Sequence, residues 1–147
     1  MARITDFPAR GKIIEVRGSG VVFQPAGTNY QIELDLPDGD SPPRELDRPV
    51  EGLIHVRARK IWTVPSGGNF VAPIFGPPRT IQGRVKWLNE RLLVVHAGTP
   101  FVVAMPATDQ TIDLAAGPME TGSLVNVTLM PGAMIEARGA EVDGETR

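Results

Sequence analysis

Glycine and proline interrupt this chain so often that helical periodicity is nearly absent. The 147 residues include 16 Gly and 14 Pro, and no stretch free of both sustains apolar residues at helical spacing. The runs between these interruptions are short and rich in Val and Ile, which favour strands. Many short strands separated by turn residues indicate an all-β protein, a barrel or a sandwich. We predict strands at residues 11–17, 21–24, 29–36, 53–64, 70–75, 80–88, 92–96, 101–105 and 124–129.

The side chains that most often carry catalysis or hold metals are scarce. The chain has no Cys, which excludes disulfides, thiolate zinc sites and a cysteine nucleophile. Its two histidines, His55 and His96, fall in separate predicted strands, without carboxylates at metal-ligand spacing. No Gly-x-Ser-x-Gly motif is present. We therefore expect no cofactor, no metal site and no enzymatic activity.

Apolar residues are sufficient for a core but are not arranged for a membrane. The chain is 41% hydrophobic and 22% charged, a balance typical of folded globular proteins. No apolar run approaches the ~18 residues of a membrane span, and residues 1–10 lack the apolar core of a signal peptide. We expect a soluble, cytoplasmic protein with no membrane partner.

The two halves of the chain share a pattern. Residues 20–38 align with residues 91–109 at a constant offset of 71, and residues 26–28 and 97–99 both read Ala-Gly-Thr. Upstream, Gly11 and Gly83 each open a similar strand, and downstream, Gly52 and Gly122 each lead another. We interpret this order as an internal duplication, with one unit at residues 1–76 and the other at 77–138.

Each half resembles an oligonucleotide/oligosaccharide-binding (OB) fold. The likeness consists of a Gly-led first strand, a hairpin, and a Gly-led return strand, at 11–13, 21–36 and 52–56 and again at 83–85, 92–105 and 122–127. The resemblance implies two tandem five-stranded barrels. Many OB folds place a helix before the return strand, whereas residues 37–49 contain four prolines and exclude an ordinary one. An SH3-like barrel or one larger barrel remains an alternative.

Charge is distributed unevenly along the chain. The formal net charge is −2, which argues against nonspecific attraction of the whole molecule to nucleic acid. Between residues 52 and 108, however, seven cations accompany one anion, Glu90. Strand alternation predicts Ile54, Val56 and Ala58 in the core. The candidate polyanion-binding residues on the opposite faces and beside them are His55, Arg57, Arg59, Lys60, Trp62, Arg79, Arg84 and Lys86.

Both tryptophans fall in this basic window. Trp87 shares the strand parity of Val85, which predicts burial in the core. Trp62 has the parity of Val56, but so does Lys60, so a bulge or the end of the buried stretch must lie near Lys60. An exposed Trp62 beside cations would suit base stacking, although burial is the commoner role of a tryptophan in a small domain.

These observations give three hypotheses about function. The first is a non-catalytic module that binds single-stranded nucleic acid or another polyanion through a basic face of the first unit. The second is a structural protein that forms homo-oligomers or docks on a protein partner through barrel edges, or through the apolar segment at residues 70–75. The third is an enzyme that uses scattered residues such as His55, Arg57 and Glu33.

Residues 139–147, with three acids and almost no apolar side chain, are expected to form a disordered acidic tail.

Overall fold

The computed structural model describes residues 2–108 and 111–137. A short 3-10 helix, Ile4–Asp6, precedes twelve strands, and the described residues contain no α-helix. The all-β prediction is therefore confirmed. The strands are β1 Ala9–Arg17, β2 Gly20–Pro25, β3 Gln31–Asp35, β4 Pro49–Thr63, β5 Phe70–Ala72, β6 Phe75–Gly76, β7 Thr80–Leu88, β8 Leu92–His96, β9 Pro100–Ala104, β10 Ile112–Asp113, β11 Leu124–Leu129 and β12 Met134–Ala137.

The strands form one mixed sheet in which hydrogen-bonded pairing follows two circuits. The first circuit runs β1–β2–β3–β12–β4 and returns to β1. The second runs β7–β8–β9–β4–β11 and returns to β7. In both circuits, taken in the order given, the third and fourth strands are parallel, β3 with β12 and β9 with β4, and the other pairs are antiparallel.

β4 belongs to both circuits because it is 15 residues long. Its first half pairs with β1 and β12, and its second half pairs with β11 and β10, with β9 in between. β12 comes from the predicted second unit, 77–138, yet it pairs with β3 and β4 of the predicted first unit, 1–76. Pairing therefore crosses the predicted boundary in both directions.

One main core runs through both circuits. Phe23 and Ile54 of the first circuit belong to the same buried cluster as Ile81 and Phe101 of the second. Directly opposed residues on β4, β11, β7 and β5 form one buried layer, which consists of Ile61, Val127, Ile81 and Val71. Among the described residues no helix has the length and apolar character needed to cross a membrane.

A second, smaller cluster lies on the other side of β8 and β9. Leu53, Val94 and Val102 are its buried members, and the N-terminal segment covers them. Trp87 packs in this cluster and not with Val85, and its indole Nε1 donates to the Ala2 carbonyl at 3.1 Å. The prediction that Trp87 shares the core face of Val85 is wrong, because the register between β7 and β8 shifts between these two residues and turns the side chain over.

Candidate functional site

β4 presents its basic residues on the face opposite the core. Ile54, Val56 and Ala58 are buried, as alternation predicts. The register with β11 then skips one residue, because Ala58 lies opposite Leu129 and Lys60 opposite Thr128. Of the two alternatives predicted near Lys60, a bulge or the end of the buried stretch, the structure has the bulge.

Arg59 is the extra residue of this bulge, and it reverses the alternation of buried and exposed side chains in the rest of β4. Both Arg59 and Lys60 are exposed, while Ile61 returns to the core. Trp62 is then partly exposed on the same face as Lys60, and the Lys60 Nζ lies 5.5 Å from the centroid of the Trp62 ring. This cation–π contact leaves both groups at the surface.

Two of the predicted residues on β4 are instead tied to the chain around β12. His55 Nε2 lies 3.1 Å from Glu136 Oε1, and Arg57 Nη2 donates to the Pro131 carbonyl at 3.0 Å. These contacts hold the side chains of His55 and Arg57 against β12 and the turn before it. Both residues are therefore set apart from the rest of the predicted site.

β7 carries a second group of cations. Arg84 is exposed, and its Nη1 donates to the Gly122 carbonyl at 3.1 Å. Arg79 is exposed immediately before the strand, where its main chain bonds Ala72 and Leu129. Lys86 is exposed farther along, at the bulge that faces β8.

β11 brings the two groups together because it lies between β4 and β7. Thr128 is opposite both Lys60 and Thr80, and Leu124 is opposite Arg84. Opposed residues of antiparallel strands share a face, so the side chains of β4 and β7 form one continuous surface across β11. We call this surface the basic face; of the predicted residues, the register places Lys60, Trp62 and Arg84 on it, and Arg59 is exposed at the bulge beside Lys60. Arg79 precedes β7 with the opposite parity and is not placed on this face by the register.

The cations of the two circuits differ in their ion pairs. On β1 of the first circuit, Arg10, Lys12 and Arg17 each pair with a carboxylate. The cations on and beside the basic face have no such partners. Within the described part of the chain, none of these residues lies within ion-pair distance of a carboxylate: Arg59, Lys60, Arg79, Arg84 and Lys86. The positive charge of the basic face is therefore not neutralised locally.

His96, on β8 beside the basic face, has a pKa that its surroundings change. It lies opposite Arg84 on β8. Burial, together with the nearby charge of Lys86, lowers the pKa of its imidazole below the ordinary value. Both effects disfavour the imidazolium, so His96 is neutral at pH 7.

The predicted site residues do not include three side chains of the basic face. Phe70, Gln82 and Asn126 are partly buried and stand in register with Trp62 across four neighbouring strands. Strand alternation in residues 124–129 points the side chain of Asn126 away from the core that holds Val125 and Val127. This pattern in the sequence could have identified Asn126 as a surface residue. The charge pattern alone gave no reason to single out neutral residues.

The described ranges, 2–108 and 111–137, contain no group of three or more His, Asp or Glu side chains that could hold a metal ion.

No protein-family model, curated protein or solved structure matches this chain.

Proposed function

We propose that this chain is a non-catalytic binding module whose basic face takes single-stranded nucleic acid or another polyanion. The observation that carries the proposal is the set of cations on β4 and β7, on either side of β11, none of which is paired with a described carboxylate. Phosphates would replace the absent carboxylates and release counterions. Trp62 beside Lys60 adds an aromatic surface to this charge.

The proposed site belongs to the second circuit and not to the first. The cations of β4 lie beyond Ile54, in the half of the strand that pairs with β9, β10 and β11. Sequence position alone assigned them to residues 1–76. Because β4 continues from one circuit into the other, the same strand supports the first circuit and presents the site of the second.

We further propose that the circuits are two OB-like barrels that arose by duplication. The circuits share the same succession of antiparallel pairs around one parallel pair, which supports this interpretation. So does a shared close approach: a Cβ on Gly11 would lie 2.1 Å from the Gln24 carbonyl oxygen, and one on Gly83 would lie 2.0 Å from that of His96. In each circuit the first strand thus passes the second too closely for any side chain at that position. The predicted units, 1–76 and 77–138, would then exchange one strand each: β12 completes the first circuit, and the second half of β4 completes the second.

Binding of a labelled, mixed-sequence single-stranded oligonucleotide, followed by fluorescence anisotropy from low to moderate salt, tests the proposal. We expect affinity to fall as salt rises, because counterions are released on binding. Replacing Arg59, Lys60 and Arg84 with Ala should weaken binding and reduce the slope of log K against log salt by about 2. Absence of binding by the wild type at low salt would overturn the proposal.

The matched control removes the same charge from the first circuit. Arg10, Lys12 and Arg17 are also three exposed cations, but each is already paired. Their triple Ala variant should bind the oligonucleotide nearly as the wild type does. An equal loss in both variants would show that net charge, and not the basic face, determines affinity.

A second candidate function, assembly through an apolar contact, is favoured by the turn between β5 and β6. Ile74 is 54% exposed and Phe75 64% exposed. Exposed prolines at Pro73 and Pro77 flank them. Adjacent exposed apolar side chains form a small patch of the kind found at protein–protein contacts, so the turn and the start of β6 would dock on a partner or on a second copy.

A further inference from the structure

The basic face also contains a row of four uncharged side chains, whose presence polyanion binding through charge alone does not explain. Trp62, Asn126, Gln82 and Phe70 are directly opposed on β4, β11, β7 and β5. Neighbouring strands lie about 4.8 Å apart, so the three intervals of this row span roughly 14 Å. An aromatic ring thus stands at each end, with two amides between them.

Asn126 has an unsatisfied polar atom. Its Oδ1 is shut off from solvent and has no hydrogen-bond partner within the described chain. Such atoms are rare in folded proteins. Asn126 as a whole is partly exposed, and the last torsion of an asparagine turns easily. Rotation of the amide would present this oxygen to an N–H group of a ligand.

The neighbouring groups are also suited to a base. Gln82 uses its Nε2 to donate to the Gly68 carbonyl at 2.7 Å, which leaves its Oε1 as an acceptor. Aromatic faces stack on any base, and side-chain amides pair with base edges. A polyanion without bases would use the cations of the face and leave the row unused. In a duplex the bases stack on one another and their faces are not available to Trp62.

We infer that the ligand of the basic face is a single-stranded nucleic acid that is held through its bases. Trp62 stacks on a base, Asn126 accepts a hydrogen bond from a base edge, and Lys60 and Arg84 bind the flanking phosphates. This inference rests on the proposed function, since it assigns a ligand class to the same face.

Competition experiments with four probes test the inference. The probes are a mixed-sequence single-stranded 12-mer, an abasic 12-mer with the same backbone, the duplex of the same sequence, and inorganic polyphosphate. We expect the single strand to bind about ten-fold or more tightly than the other three, because stacking on one aromatic residue contributes a factor of roughly 5 to 150. The wild-type comparison needs no variant, so it decides the inference even where a variant fails to fold.

Variants then locate the effect. Trp62→Ala and Asn126→Ala should lower the affinity for the single strand toward that of the abasic strand and leave the abasic affinity unchanged. Trp62→Phe, which keeps a ring, should retain most of the preference. Equal wild-type affinity for the single strand and the abasic strand would overturn the inference and leave the proposed function standing. Binding of no probe at low salt would overturn both.

Discussion

Single residues determine how closely the first two strands of each circuit approach. Gly83 lies on β7 where the strand passes the β8 carbonyl of His96, and there is no room for a Cβ. Gly68, in the turn before β5, meets nothing within 4 Å. The two glycines therefore differ in what a methyl group would encounter.

Replacing Gly83 with Ala should lower the free energy of unfolding by about 1–3 kcal/mol or more, because the backbone must move to admit the methyl group. Gly68→Ala should change it by less than about 1 kcal/mol. Urea unfolding followed by circular dichroism measures both. Similar midpoints for the two variants would contradict the close approach of β7 to β8.

The same scale shows what alternation can and cannot predict. The exposed positions of Arg57 and Arg59 and the bulge near Lys60 could be read from the sequence, because a charged residue at a core parity requires an interruption. The bulge between Val85 and Trp87 left no such mark, since a tryptophan is acceptable on either face. The sequence pattern therefore predicts the wrong face for Trp87.

At the scale of elements, strand positions follow from local pattern, whereas strand partners do not. The predicted strand at 53–64 is present as β4, although it begins earlier, at Pro49. The predicted strand at 70–75 is two short strands that break at Pro73 and Ile74. β12 was not predicted at all, because four residues with one buried side chain, Ile135, carry no periodic signal. It forms a strand because it pairs with β3 and β4, which are distant in the sequence.

The turn between β5 and β6 carries the prediction for assembly. If the exposed ring of Phe75 makes a contact between copies, sedimentation velocity should show a mass that rises with concentration, and Phe75→Ser should abolish the rise. Val71→Ala, in the neighbouring strand, is a poor control because Val71 is buried. Leu114→Ser is the matched control, since Leu114 is also an exposed apolar residue. A monomer at all concentrations would contradict assembly through this turn.

The whole molecule is connected in a way that tandem units would not be. β4 lies in both circuits, β12 returns from the last part of the described chain to the first circuit, and one buried cluster contains residues of both. The predicted halves, 1–76 and 77–138, would each lack a strand that the other provides. The predicted acidic tail, 139–147, lies outside the described residues.

We therefore expect the protein to unfold in one transition. Both tryptophans belong to strands of the second circuit, so their fluorescence reports that circuit. Ile135→Ala, which removes a fully buried side chain from β12, should lower the free energy of unfolding by about 2–5 kcal/mol and shift the fluorescence and circular dichroism midpoints together. Glu136→Ala, on the same strand, removes only the exposed contact with His55 and should cost at most about 1 kcal/mol. A fluorescence midpoint unmoved by Ile135→Ala would show that the circuits unfold independently.

The return of β12 also has a consequence for synthesis on the ribosome. β3 ends at Asp35, but the strand that completes its circuit begins at Met134. At ordinary elongation rates about 100 residues take roughly 5–20 s to make. Throughout that interval the nascent first circuit is open along one edge, and the apolar side chains that will contact Ile135 lack their cover. Silent codon changes that slow the last third should therefore lower the yield of folded protein, measured by soluble expression, while leaving its sequence unchanged.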